Sequence, residues 1–299
     1  MNPLQSSLAH RAQFIQGIRA FFAQLGVLEV QTPTLLSAPT TDLYIDSLSV
    51  RANQDLGVPK TYYLHTSPEL EMKKLLSQGS GDIYQICSVF RDNEQGENNH
   101  NEFTMLEYYR VDFDMHQLMD DITQLIQHLG IESEVQKRSY AQVFSEFADI
   151  DILNTSFDVL KTIAKSHGLS TDFDWIEDLQ ILLFVHLIEP KLAELGACFI
   201  YDYPHQQAAL AKVEGLVAKR FELYIDGLEI ANGYDELQSV KNYQARFQAE
   251  LDKRAHLGKP VFEPDSSFLA QLDTSLPQCA GVAIGLDRLL TKTPSTYLK

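Results

Sequence analysis

Residues 220–237, RFELYIDGLEIANGYDEL, hold three carboxylates at spacings that suit chemistry: Glu222, Glu229 and Glu236. Asp226-Gly227 is a two-residue hairpin turn between β-type runs. Closing the turn there sets Ile225 against Leu228, Tyr224 against Glu229 and Leu223 against Ile230. Glu222 then projects from the same face as Glu229, as a diagonal neighbour about 7–8 Å away. Two such acids repel unless a cation or a shared proton lies between them. Magnesium carrying phosphate oxygens suits the pair, because it takes one or two carboxylates plus ligand oxygens. A solvated hairpin face is the alternative. Glu236 follows the sharp Asn232-Gly233 turn, where either a site acid or a surface acid fits.

A second stretch, RDNEQGENNHNEFTMLEYYR at 91–110, joins a charged, amide-rich loop to an aromatic strand with Glu107 set among apolar side chains. Other chemistries are absent from the sequence. No HExxH or Cys/His ligand spacing points to zinc. GxGxxG, a Walker lysine loop and a GxSxG elbow are missing, so nucleotide binding needs another architecture.

The elements that must position these residues alternate irregularly. An apolar stripe through Leu8, Phe14, Ile15, Ile18, Phe21, Phe22 and Leu25 predicts a first helix stopped by Gly26. Strands follow at VLEVQTP, IDSLSV, TYYLHT and DIYQICSVF, with a helix PELEMKKLLSQG opened by Pro68 and closed by Gly79. EFTMLEYYRVDF reads as a strand, residues 115–195 as a helical insertion, then ACFIYDYP and RFELYIDGLEIANG as strands. A helix near Asn242–Arg254 and the small, apolar CAGVAIGLDRLL complete the chain. This order predicts an α+β fold, an antiparallel sheet flanked by helices, in a single domain over 1–299.

Composition narrows the partners. With 44% hydrophobic and 22% charged residues the chain reads as globular, and no apolar run reaches a membrane span. Forty-one acids against 24 bases give a charge of −17, with no Lys/Arg run longer than two, which disfavours stable nucleic-acid binding. Three isolated cysteines (Cys87, Cys198, Cys279) and no signal pattern at the N-terminus predict a reducing, cytoplasmic setting.

One nucleotide-binding architecture fits. The chain resembles the catalytic core of class II aminoacyl-tRNA synthetases, most closely the lysyl branch. LEVQTPTLL with Pro33 is similar to the first class II motif, FRDNEQGENNHNEFTMLEYYR to the second and GVAIGLDRLL to the third. TSPELEMKKLL and RFELYIDGLEIANGYDEL are similar to the lysine-binding segments. No room exists before Leu8 for an anticodon-binding barrel, Ala283 stands where the synthetases usually carry glycine, and YDYPHQQAALA looks like the stand-alone paralogues that modify translation elongation factor P.

The resemblance implies ATP and Mg²⁺, a small cationic amino acid (β-lysine or lysine), elongation factor P as acceptor, and a homodimer packed around Pro33. Arg91 and Arg288 would be the catalytic arginines, gripping the α- and γ-phosphates. Asp92, Asn93, Glu94, His100, Glu229, Ile230 and Gly285 would complete the ATP site, and Glu222 with Glu229 the metal site. Ser67, Pro68, Glu69, Tyr109 and Glu236 would surround the substrate, with Glu107 beside a cation or ammonium. Ala283 would narrow the place of an α-amino group, a preference worth about 1–3 kcal/mol. Asn98-Asn99-His100-Asn101-Glu102-Phe103 departs from the usual Arg-His-Asn-Pro-Glu-Phe, Glu97 adds an acid, and Pro294 should end the last helix. An amino-acid activator with another acceptor, or an inactive paralogue serving as a binding module, shares most of these features.

Overall fold

The computed structural model describes residues 3–53, 57–94, 96, 99–272 and 276–294, so Glu97, Asn98 and the terminal residues 295–299 lie outside the described residues. The chain separates into two compact units, 1–114 with 236–299 and 115–235.

In chain order, the first unit opens with α1 (Pro3–Leu25), β1 (Leu28–Glu29), β2 (Leu35–Leu36), β3 (Ser49–Asn53), β4 (Pro59–Leu64), α2 (Glu69–Ser77), β5 (Ile83–Phe90) and β6 (Glu102–Val111). The second unit holds α3 (Met115–His128), β7 (Val135–Ser139), α4 (Tyr140–Ala148), α5 (Phe157–Ser166), α6 (Ile176–Leu183), α7 (Glu189–Leu192), β8 (Ala197–Pro204), β9 (Val213–Glu214), β10 (Val217–Ile225) and β11 (Leu228–Asp235). The first unit then resumes with α8 (Val240–His256), α9 (Ser266–Gln271), β12 (Cys279–Gly285) and α10 (Leu286–Lys292).

In the first unit β5, β6 and β12 pair antiparallel, and β1 joins β5 in parallel. Because side chains alternate along a strand, β6 offers two buried faces. Leu106 and Tyr108 pack toward α1, whose Phe22 stacks on Tyr84 at 4.3 Å and meets Tyr108 edge-on at 4.9 Å. Met105, Glu107 and Tyr109 project from the other face. The helix stripe holds for Phe14, Ile18, Phe21 and Phe22, which are buried, but Leu8 is 59% exposed. Gly26 takes φ +70° and stops α1 as expected.

The second unit is less helical than its sequence suggests. β7 was read as part of the helical block, yet it pairs in parallel with β8. β8, β10 and β11 are antiparallel. Tyr140, Phe144, Phe184 and Tyr203 stack between the helices and β8, which gives this unit its own core.

Candidate active site

α2 supplies the first part of the site. Pro68, with φ −77°, is its N-cap, and Glu69 and Glu71 fill its first turn, where the helix dipole favours acids. Glu69 and Lys73 are one turn apart on the same side, and Lys73 Nζ lies 2.6 Å from Glu69 Oε1. The same ammonium is 2.6 Å from Glu236 Oε2. Lys73 has no solvent exposure, because α2 is covered on both sides: Met72 and Leu76 are core residues, while the neighbouring Lys74 bonds Asp265 and Ser267 of the α9 segment. The Lys73 ammonium also sits 5.5 Å from the centroid of the Tyr243 ring on α8.

β6 supplies the second part. Glu107 is buried, with one oxygen accepting from Ser67 Oγ at 2.6 Å and the other from Tyr109 Oη at 2.6 Å. Ser67 Oγ in turn accepts the Glu69 backbone N–H at 3.0 Å, which ties the start of α2 to the strand. Burial pushes the Glu107 carboxyl up to about 7, with the charge of Glu69 adding to the rise. Burial likewise pushes Glu236 up to about 8, although Lys73 pulls it down. Lys73 is raised as well, for a different reason: burial works against its charge, but Glu236 and Glu69 more than offset this and hold it well above the usual lysine range.

β12 leaves room beside these acids. Gly281, Ala283 and Gly285 pair with Tyr109, Glu107 and Met105, so the small residues of β12 share the face of the acids. A Cβ on Gly281 would come within 2.3 Å of Tyr109 Cε1 and 2.5 Å of Glu236 Oε1. Ser67, Pro68, Glu69, Glu107, Tyr109, Glu236 and Ala283 all lie in the first unit.

The two arginines belong to this unit too, and both are tied to the loop between β5 and β6. Arg91 Nε donates to the Thr66 carbonyl at 3.3 Å, its guanidinium lies 5.2 Å from the Phe103 ring, and its backbone N–H donates to Asn101 O at 2.9 Å. Arg288, in the first turns of α10 beyond Gly285, donates to Asn99 Oδ1 at 2.7 Å. Its neighbour Asp287 anchors the helix start, accepting Thr104 N at 2.6 Å and Arg11 Nη1 at 2.7 Å. Asp92, Asn93 and His100 are exposed on the loop and Glu94 is half-exposed. Asn93 takes φ +62°, a conformation that asparagine tolerates. α10 ends at Lys292, and Thr293 is extended as a residue before Pro294 should be.

In the second unit the expected hairpin forms, with Asp226 and Gly227 both at positive φ. Its register departs from the expectation: Leu223 pairs with Ala231, not Ile230, because a bulge inserts Ile230 as an extra, buried residue. Glu229 still pairs with Tyr224, and the Tyr224 hydroxyl reaches Glu222 Oε2 at 2.6 Å, so both acids share a face. Glu222 is more committed than its sequence suggests. Its Oε2 also accepts from Tyr203 at 2.6 Å and its Oε1 from Arg220, whose guanidinium lies 4.6 Å from the Tyr203 ring. A carboxylate offers about four lone-pair sites, so one remains open on Glu222. Among the described residues no group of three or more His, Cys, Asp or Glu is poised to hold a metal. Two oxygen-donor acids on one face fit magnesium that completes its shell from water and phosphate.

Sequence reasoning missed Lys73, Arg220 and Gly281. The i,i+4 spacing of Glu69 and Lys73 was a signal for the first; nothing local marks the other two.

Comparison with known proteins identifies the family. A family profile described as tRNA synthetases class II (D, K and N) matches residues 1–295. The chain belongs to that family. Among curated relatives, a protein of Vibrio cholerae named elongation factor P–(R)-β-lysine ligase is 40% identical over 292 residues, covering 95% of this chain and 90% of the relative. Proteins of the same name from Mannheimia succiniciproducens and Proteus mirabilis are 39% and 40% identical, with the same coverage. The class II assignment accounts for the mixed sheet flanked by helices, the α+β class expected from the sequence. No helix among the described residues is long and apolar enough to cross a membrane.

Proposed function

We propose that this chain is an ATP-dependent ligase that activates (R)-β-lysine as an adenylate and transfers it to a lysine side chain of translation elongation factor P. The observation that carries this reading is the clustering of three acids from different elements of a class II synthetase chain: Glu69 and Glu236 meet at Lys73, and Glu107 is tied through Ser67 to the backbone of Glu69. Buried acids of this kind are costly unless cations meet them, and a lysine-type amino acid brings two.

Glu69 and Glu236 would hold one ammonium and Glu107 with Tyr109 the other, with Ser67 and Pro68 fixing the start of α2. Ala283, opposite Glu107 on β12, would disfavour an amino group on the α-carbon. Arg91 would orient the α-phosphate and Arg288 the γ-phosphate, while Asp92, Asn93, Glu94 and His100 border the nucleotide, with Gly285 below. The substrate carboxylate then attacks the α-phosphorus and pyrophosphate leaves. Positioning and charge neutralisation supply most of the acceleration. Glu222 and Glu229 would hold magnesium, which supplies positive charge to phosphate oxygens, with Ile230 backing the hairpin. In the second half-reaction the acceptor amine displaces AMP from the mixed anhydride.

An elongation-factor substrate places the reaction in the cytoplasm. Exposed Leu28 and Leu35, flanking Pro33, support a homodimer through that segment, which sedimentation would test. The function itself is tested by ATP–pyrophosphate exchange with (R)-β-lysine and with lysine, followed by the mass of elongation factor P after incubation. Exchange with a mass gain is expected; no exchange with either amino acid would overturn the reading and favour a binding module.

A further inference from the structure

The reading above assigns Glu69 and Glu236 to the substrate, yet both carboxylates already share an internal cation. Lys73 is wholly buried and its Nζ stands 2.6 Å from each of them. Glu107, the third acid, accepts from two neutral hydroxyl donors, Ser67 and Tyr109, which favour its ionised form against the effect of burial. The pocket thus combines three carboxylates with one lysine. With all three acids ionised, two negative charges remain, as many as the ammonium groups of a lysine-type amino acid.

We propose that Lys73 is a positioning residue that pins the Glu69 and Glu236 carboxylates and reduces three acids to two net negative charges, the number a diammonium amino acid neutralises. Three aspects of the geometry support this. The ammonium bridges acids from α2 and from the segment after β11, so it fixes their separation. Its side chain is wholly buried, as is that of Met72 before it on the helix. Glu236 Oε1, the oxygen not paired to Lys73, lies against Gly281 and Tyr109 on the substrate side. Without Lys73, Glu69 and Glu236 would repel, and a proton would replace the lysine without its directionality.

The inference rests on the proposed activity, and its test separates the two. Lys73→Met keeps the apolar stem and removes the charge. It should raise the amino-acid KM in pyrophosphate exchange about tenfold or more, as expected on breaking a buried ion pair, with the ATP KM within about twofold and unfolding still cooperative. Lys73→Ala should recover part of its amino-acid affinity with n-propylammonium and none with n-propanol, whereas propylammonium should only inhibit the wild type. A wild-type KM in Lys73→Met, an equal rise in the ATP KM, or recovery of Lys73→Ala by both additives or neither would overturn the role of Lys73. If the wild type itself catalyses no exchange, the proposed function fails, and thermal unfolding then decides the inference. Propylammonium, but not propanol, should raise the unfolding temperature of Lys73→Ala saturably and leave the wild type unchanged; no such difference would overturn it.

Discussion

Gly281 lies directly opposite Tyr109 across the β6–β12 ladder, and its missing side chain is the space that Tyr109 and Glu236 occupy. A Cβ would sit 2.3 Å from one ring carbon and 2.5 Å from a Glu236 oxygen, closer than real contacts allow. Neither neighbour can retreat easily, since Tyr109 is bonded to Glu107 and Glu236 is paired with Lys73. Gly281→Ala should therefore cost about 1–3 kcal/mol of stability through overpacking. Because it displaces two groups proposed to face the substrate, it should also raise the amino-acid KM by about tenfold to a hundredfold, more than it changes the ATP KM. Denaturant unfolding and steady-state exchange would check both, and a neutral effect on KM would remove Tyr109 and Glu236 from the pocket as described.

The acids of the pocket make both binding and stability depend on pH. Burial holds Glu107 near 7 and Glu236 near 8, against 4.5 for an ordinary glutamate. Between these values the folded chain binds more protons than the unfolded one, so this contribution to stability is complete below about pH 4.5 and falls as pH rises toward 8. Substrate ammonium groups need the ionised acids, so the amino-acid KM should fall as pH rises from 6 to 8.5. Thermal unfolding of wild type and Glu236→Gln across that range gives the sign: the wild type should lose stability relative to the variant as pH rises. The gain in unfolding temperature on adding substrate should be larger at pH 8.5 than at pH 6. A stabilisation independent of pH would refute this account.

Much of the site was legible because its residues stand next to strong local signals. The hairpin turn and the resemblance to the three motifs single out Arg91, Glu107, Tyr109 and Glu236 in the sequence. The burial of Lys73 was not legible: its i,i+4 spacing to Glu69 marks a pair, but ELEMKKLL looks like a helix with solvated lysines, and only packing on both sides of α2 buries this one. β7 was hidden for a related reason: VQKRS has no apolar alternation, and its strand state comes from pairing with β8. The bulge at Ile230 is a matter of register, which a one-residue shift changes without altering any residue type.

Ala283 pairs with Glu107, so its methyl group stands next to the carboxylate assigned to a substrate ammonium. Removing that methyl should enlarge the place of an α-amino group. Ala283→Gly should shift the ratio of exchange rates toward α-lysine by about tenfold, the upper range for a single methyl being about 1–3 kcal/mol. Competition between the two isomers in one reaction would measure the ratio directly. No change in the ratio would mean that specificity lies elsewhere in the pocket.

Arg254 shows how residues outside the pocket can set the nucleotide loop. Its side chain is buried, with Nη1 donating to Asp42 O at 2.7 Å, Nη2 to Asp46 Oδ1 at 3.0 Å and Nε to Pro260 O at 3.1 Å. The Asp46 carbonyl accepts the backbone N–H of Asp92 at 2.8 Å, one residue from Arg91. The chain of contacts therefore runs from α8 through Asp46 to the loop that carries Arg91, the arginine proposed to bind phosphate. Arg254→Met should cost about 2–4 kcal/mol, because charged hydrogen bonds contribute about 1.5–3 kcal/mol each and buried partners are left unsatisfied. It should also raise the ATP KM severalfold with little change in the amino-acid KM. Lys259, which reaches the same Asp46 at 3.4 Å from a more exposed position, should matter less than about 1 kcal/mol when changed to Met. Equal ATP KM values for Arg254→Met and the wild type would reduce Arg254 to a support of stability alone, with no part in placing Arg91.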